Sequence, residues 1–222
     1  MITVHHLENS RSQRVLWLLE ELGVPYEVKR YERDKKTNLA PKQLLKVHPL
    51  GKSPVIEDNG SVIAETGAII EHIIENHGGG RLSPAKGTED YRRYKYWIHA
   101  AEGSYMPPLV LALMLNRMET AKMPFFAKPI AKKLTQGVRD SYLTHTTRAL
   151  FEYLDNELGK NEWLAGREFT AADIIMSFPA EASLQRIEES KAAANLKKYV
   201  DRLHARPAYK RALEKGGPYA YA

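Results

Sequence analysis

GKSPVIEDNGSVIAETGAII, residues 51 to 70, decides how the first part of this chain is read. Pro54 stands directly before Val55 and Ile56, where a strand can begin on a residue with no amide to give to a ladder. Asn59-Gly60 is a dipeptide that tolerates the left-handed backbone of a two-residue hairpin turn, so PVIEDNGSVIAE reads as two strands around a tight turn. Glu65 and Thr66 then open GAIIEHIIENHGGG, which puts Ile69, Ile70, Ile73 and Ile74 on one helical face and ends in three glycines. Two readings stay open. The peptide before Pro54 can be trans or cis, the latter leaving the residue-53 backbone open to a ligand. Glu65-Thr66 can be an ordinary cap, or can leave the amides and positive dipole end of the helix free for an anion.

Upstream, ITVHHL suits a short buried strand, and VLWLLEEL sets Val15, Leu18, Leu19 and Leu22 at helical spacing before Gly23 stops the helix. YEVKRY alternates as a strand, and PKQLLKV makes a short helix with Pro41 in its first turn. Strand, helix, strand, short helix, hairpin and helix make a small mixed sheet with helices on both faces. From residue 87 onward no strand signal survives. Tyr91, Tyr94, Ile98, Ala101 and Tyr105 recur at intervals of three and four, and LFEYLDNELG, AADIIMSFPAEASLQRI and LKKYVDRLHA are also helical. The fold class is therefore α/β plus all-α: an N-terminal domain over residues 1–78, a linker over 79–87 around GGGRLSPAKG, and an all-helical domain over 88–222. Pro107 and Pro108 bend or break the first long helix of that domain.

Composition narrows the chemistry. The 222 residues contain 43% hydrophobic and 27% charged side chains, ordinary globular values. No apolar run is long enough for a bilayer, and MITVHHLENS lacks the regions of a signal peptide, so a cytoplasmic protein with no membrane partner is expected. With no cysteine, disulfides, thiolate metal sites and a protein thiol nucleophile are excluded; sulfur chemistry here needs sulfur from the substrate. The net charge of +6 comes from basic residues interrupted by apolar ones, as in AKPIAKK and ARPAYKRALEK, which suits solvated helix faces rather than a nucleic-acid surface.

Ser10-Arg11-Ser12-Gln13 fits a capping box, with Ser10 as the cap and Gln13 reaching back. The same Ser10 hydroxyl could instead donate to a ligand, and the apolar staple that often accompanies the box is missing. Thr170-x-x-Asp173 is a second capping box, preceded by Trp163 and Leu164, and reads as a folding device. His5 and His6 point to opposite faces of a strand and make poor joint metal ligands. No metal is expected.

Taken together, SRSQRVLWLLEELGVPYE, GKSPVIEDNGSVIAETGAII and NEWLAGREFTAADI resemble the first helix, the glutathione-site hairpin and the C-terminal motif of cytosolic glutathione S-transferases, nearly over the full length. The resemblance implies a thioredoxin-like N-terminal domain, glutathione as co-substrate and a homodimer. It points to a serine-type site, with Ser10 as the hydroxyl that stabilises the glutathione thiolate and Asn9 and Ser12 as rivals. By the same resemblance Ser53 pairs through its backbone with the cysteinyl part, before a cis Pro54; Glu65 and Thr66 hold the γ-glutamyl end; and Lys52, with Gln43 and His48 as weaker candidates, meets the glycine carboxylate. The acceptor electrophile should lie on the first bundle helix near Trp97, Tyr105 and Met106, with Tyr219 or Tyr221 of the tail PYAYA over the same cleft. Serine is no base, but a hydrogen bond to a charged sulfur contributes about 1.5–3 kcal/mol, enough to lower a thiol pKa by about one unit or more. The expected reaction is conjugation of glutathione to a hydrophobic electrophile. Reduction of peroxides or disulfides by the same thiolate, and a non-catalytic binding module, are the alternatives.

Overall fold

β1 (Ile2–Leu7) lies in the interior of a four-stranded sheet of order β2-β1-β3-β4. It runs parallel to β2 (Tyr26–Tyr31), with Val4 opposite Val28, and antiparallel to β3 (Val55–Asp58), with Val4 opposite Ile56. β3 turns back into β4 (Ser61–Ala64) through Asn59 and Gly60, whose φ angles of 48° and 82° are the left-handed conformations that the turn requires. The computed structural model describes residues 1–188 and 190–222.

α1 (Gln13–Leu22) ends at Gly23 in a left-handed C-cap. Val15, Leu16, Trp17, Leu18 and Leu19 are all at most 1% exposed, so this helix is buried all round rather than along one stripe. The sheet lies on one side of it and the helical domain covers the other. PKQLLKV folds only as a short 3-10 turn (Lys42–Lys46), which leaves the segment before Pro54 as loop. α2 (Thr66–His77) buries Ile69, Ile70 and Ile73 as its spacing demands.

Among the described residues, seven α-helices make the second domain. α3 (Glu89–Ala100) is capped by Thr88, whose hydroxyl oxygen accepts the Tyr91 amide. Pro107 and Pro108 do not interrupt the chain that follows. A wide π turn over 101–105 carries the Met106 amide to the Ala101 carbonyl, and α4 (Met106–Thr120) starts with the two prolines in its first turn, where their missing amides cost no helical bond. α5 (Ala127–Val138), α6 (Thr144–Lys160), α7 (Ala171–Arg186), α8 (Ala194–Ala205) and α9 (Pro207–Gly216) complete it.

α7 is the post of the bundle, buried from Ala171 to Ser183. Its capping box forms as its sequence signals: the Thr170 side chain accepts the Ala172 amide at 3.3 Å, and Asp173 accepts the Thr170 amide at 2.9 Å. Asp173 also accepts the amide of Leu164 and the hydroxyl of Tyr199, which ties three separate segments to one carboxylate. Burial pushes its pKa up to about 6 against the pull of these hydrogen bonds. The linker is tied to the helical domain by the Ala171 amide, which donates to the Leu82 carbonyl at 2.9 Å, and the domains themselves are joined by Arg14, whose guanidinium donates to the Ile175 carbonyl at 2.6 Å.

The basic C-terminal helix is not a plain solvated face. Arg206 pairs with Glu21, and Arg211 and Lys215 pair with Glu20, so α9 is clamped onto α1. Among the described residues, no helix is long and apolar enough to cross a membrane.

Candidate active site

Three junctions converge at one end of the sheet: the loop from β1 to α1, the loop entering β3, and the step from β4 into α2. The Ser53-Pro54 peptide is cis. The Ser53 hydroxyl is committed to β1, donating to the His5 carbonyl at 2.8 Å and accepting the Leu7 amide at 3.3 Å. What Ser53 has left for a ligand is its backbone, which takes no partner among the described residues.

Glu65 is the residue before α2, with φ 72° and ψ 126°, a sparsely populated conformation for a residue with a side chain. Such strain costs about 1–3 kcal/mol and persists only where the surroundings enforce it. Its side chain caps nothing, so the first amides of α2 stay open, and the reading of Glu65-Thr66 as an ordinary cap fails on geometry. Thr66 is buried, and its hydroxyl oxygen accepts Arg14 at 3.4 Å, leaving its hydrogen free to donate.

These groups border a hollow of about 270 Å³ walled by His48, Lys52, Ser53, Pro54, Glu65 and Thr66. Arg11 and Glu102 close it from the side of the helical domain, joined at 2.6 Å. Glu102 also holds the buried Arg14 guanidinium at 2.5 Å. Burial alone would raise the Glu102 pKa, but the two guanidiniums outweigh it and hold the carboxyl below its ordinary range. Nothing in the local sequence joins residue 102 to 11 and 14, so the sequence reading missed this clamp. Gln43 is exposed and lies outside the hollow; His48 lines it.

The first loop differs from its sequence reading. Helix α1 begins at Gln13, and Ser10 does not form a capping box. Instead the Ser10 hydroxyl oxygen accepts the Ser12 amide at 3.2 Å and meets the Ser12 hydroxyl at 2.7 Å. Gln13 cannot reach back because it is buried under α9, where a Cβ on Gly216 would come 2.3 Å from its Oε1.

Ser12 is fully buried and bonded to His6 Nδ1 at 2.9 Å and to both polar backbone atoms of Leu7, which leaves it no open side toward a ligand. Asn9 spends its side-chain oxygen on the Ala220 amide, 2.8 Å away. Ser10 and Asn9 both border the open space: the Ser10 hydroxyl has Ser12 as its side-chain partner, and the Asn9 amide nitrogen donates to no partner among the described residues, so both can present a donor to a ligand. His6 beneath it is held neutral: burial lowers its pKa to about 4, with the Gly216 carbonyl opposing and Arg30 assisting.

Ser10 faces a second, larger hollow of about 610 Å³ between the first loop, α4 and the end of α7. Arg11, Lys52 and Ser53 border both spaces, so the two meet beside Ser10. Met106 lines the larger hollow, as does Tyr221 of the tail. Trp97 and Tyr105 do not. They are packed in an aromatic cluster with Phe151 and Tyr153 of α6, at most 1% exposed, because a stripe at helical spacing on α3 turns toward the bundle core. Tyr219 is half-buried, its hydroxyl donating to Glu181 at 2.5 Å.

His5 and His6 part company as their alternation requires. His5 bonds Tyr31 and Glu57 on one face, and His6 meets Ser12 on the other. The one histidine-carboxylate cluster among the described residues is Asp58, His72 and His77, at the far ends of the hairpin and α2. Its donor atoms lie within 4.8 Å of one another, a set able to take a divalent cation, although both imidazoles here bond a single Asp58 oxygen.

Known proteins agree with this architecture. Residues 1–75 match the family model described as glutathione S-transferase, N-terminal domain, and residues 113–207 match glutathione S-transferase, C-terminal domain. Glutathione S-transferase 3 of Schizosaccharomyces pombe is 37% identical over 97% of this chain and 88% of its own length. A glutathione S-transferase structure from Actinobacillus pleuropneumoniae superposes with a TM-score of 0.81 at 32% identity, covering 100% of this chain and 95% of that one. A glutathione transferase from Phanerochaete chrysosporium, solved with oxidized glutathione, shares the fold at a TM-score of 0.75 and 21% identity, covering 97% and 94% of the two chains.

Proposed function

Since this chain belongs to the glutathione S-transferase family and is an enzyme of it, we propose that it conjugates glutathione to an electrophilic carbon, with the Ser10 hydroxyl stabilising the thiolate. The observation that carries this reading is the convergence of Lys52, Ser53, Glu65 and Thr66 on one hollow that opens beside Ser10. Glutathione fits that order of groups. Its γ-glutamyl carboxylate meets the open amides of α2 and the Thr66 hydroxyl, while Glu65 pairs with its ammonium. The free backbone of Ser53 pairs with the cysteinyl peptide groups, and Lys52, with His48 near it, takes the glycine carboxylate. Arg11 and Arg14 hold Glu102 at the mouth, so the acid is already neutralised when an anionic ligand enters.

The sulfur then lies at the meeting of the two hollows. Its lone pair forms the bond to carbon, the leaving group departs with its own pair, and Ser10 donates to the sulfur until the bond is made. The acceptor rests on Met106 and the rest of the apolar α4 face. We place the enzyme in the cytoplasm and expect a homodimer, which light scattering after gel filtration reads directly.

Calorimetric titration with glutathione, followed by turnover of chlorodinitrobenzene and of an organic hydroperoxide, tests the reading. Saturable binding with chloride release from the aryl halide supports it. Absence of binding at millimolar glutathione leaves a module that only binds other partners, and hydroperoxide turnover without conjugation makes the enzyme a peroxidase.

A further inference from the structure

The larger hollow has one apolar wall and one charged wall. Met106, Val110, Leu113 and Met114 of α4 supply the first. The second holds Arg33 from the loop after β2, Arg117 from the last turn of α4 and Arg186 from the end of α7. None of these three guanidiniums has a carboxylate within 4 Å among the described residues, whereas Arg11 and Arg14 are paired with Glu102. Arg33 gives its hydrogens to the carbonyls of Glu8, Asn9 and Asn38. Arg186 donates to the Tyr221 hydroxyl and lies over the same ring, 5.2 Å from its centre. The one acid on the wall, Glu8, accepts the backbone amide of Arg33.

Two half-buried cations, Arg33 and Arg186, and the exposed Arg117 face one space and repel one another. Burial lowers the pKa of both Arg33 and Arg186, and the charge of Arg117 presses each of them further down. Glu8 relieves Arg33 in part. A guanidinium presents paired donors that match a carboxylate, and an anion placed among the three would remove their repulsion.

Resting on the transferase reading above, we propose that the acceptor of this enzyme carries a carboxylate, held by Arg117 and Arg186 with Arg33 beside them, while its electrophilic carbon lies over Met106 toward Ser10. The site is then selective for amphipathic anions rather than for neutral hydrophobes. For an aryl chloride the step balances simply: the glutathione sulfur forms the carbon-sulfur bond, chloride leaves with the carbon-chlorine pair, and the thiol proton passes to solvent. The carboxylate takes no part in bond making and serves only as the handle.

The test compares kcat/KM for a chloronitrobenzoate with that for neutral chlorodinitrobenzene in the wild type, Arg117→Gln, Arg186→Gln and the charge-keeping Arg186→Lys, with KM for glutathione measured in each. The ratio of the two kcat/KM values should fall on the order of tenfold in each Gln variant, recover in part in Arg186→Lys, and shrink with added salt in the wild type. A ratio unchanged by both Gln variants overturns the proposal. So does a parallel rise in KM for glutathione with no change in the ratio, since the arginines would then hold a carboxylate of glutathione itself. To separate a small carboxylated electrophile from a second glutathione, glutathione disulfide is added as inhibitor; competition against the benzoate that is lost in Arg117→Gln assigns the handle to either source, and non-competitive inhibition restricts it to the small acid. If the wild type binds glutathione yet turns over neither aryl chloride, the transferase reading fails and this proposal with it.

Discussion

Replacing Ser10 by alanine removes a hydroxyl that has two partners to choose between. In the free protein His6 is neutral at pH 7, its pKa lowered to about 4, and the Gly216 backbone accepts a hydrogen from its ring. Nδ1 is then an acceptor for the Ser12 hydroxyl at 2.9 Å. The 2.7 Å contact between Ser10 and Ser12 must therefore use the hydrogen of Ser10. When a thiolate arrives, that hydrogen turns from Ser12 to sulfur. A bond to a charged acceptor is worth about 1.5–3 kcal/mol and the neutral bond given up about 0.5–1.5 kcal/mol, so the net lies within about 0–2.5 kcal/mol and centres on about 1.3 kcal/mol, or about one pKa unit. Ser10→Ala should raise the pKa of bound glutathione by about one unit, read from thiolate ultraviolet absorbance against pH on the saturated enzyme. Turnover should fall about tenfold at pH values well below that pKa and recover above it. The variant also strips the Ser12 amide of its acceptor at 3.2 Å, so Tm should drop by about 2–4 °C in a chain of this size. A lower Tm with an unchanged thiol pKa would reduce Ser10 to a turn residue. A shift of two units or more would refute the shared hydrogen.

Glu65→Gln keeps the shape of the side chain and removes its charge; KM for glutathione should rise on the order of tenfold with a smaller change in kcat, as steady-state kinetics in glutathione will show. Asp173→Ala should leave Leu164, Thr170 and Tyr199 without the acceptor they share and cost about 3 kcal/mol or more in urea unfolding, with the glutathione pKa unmoved in whatever folds. His6 has its folded pKa depressed from 6.5 to about 4, so its contribution is present above pH 6.5 and is lost as pH falls toward 4, by about 3 kcal/mol in all. Asp173, raised to about 6, titrates in the opposite sense and largely offsets His6 between pH 6 and 4, so His6→Asn leaves Asp173 unopposed and its stability should rise, relative to the wild type, as pH falls from 6.5 to 4. Equal slopes for the two would contradict the buried neutral imidazole.

What the sequence made legible is what short-range chemistry decides. Asn59-Gly60 forces a hairpin wherever it stands between strands, and Thr170 with Asp173 closes a cap using atoms three residues apart. The same logic misread Ser10. Its box was spoiled by Gly216, more than two hundred residues away in sequence, whose helix traps Gln13. Trp97 and Tyr105 were placed on the right helix and the wrong face, because spacing tells that residues share a side but not that α6 covers it with Phe151 and Tyr153. The cis bond at Ser53-Pro54 has no local signature beyond the proline. The clamp of Arg11, Arg14 and Glu102 and the unpaired trio of Arg33, Arg117 and Arg186 exist only after the two domains meet, which is why a chain read by its charge runs gave no hint of a charged acceptor wall.

The central claim is that glutathione lies along Lys52, Ser53, Glu65 and Thr66 with its sulfur beside Ser10. A crystal structure of the protein grown with glutathione tests it most directly. The account predicts the γ-glutamyl carboxylate on the first amides of α2, the cysteinyl peptide on the Ser53 backbone, and sulfur within about 3–3.5 Å of Ser10 Oγ, a sulfur hydrogen-bond distance. Sulfur on Asn9 or the Arg11 amide with Ser10 still turned to Ser12, or glutathione bound elsewhere, would contradict it.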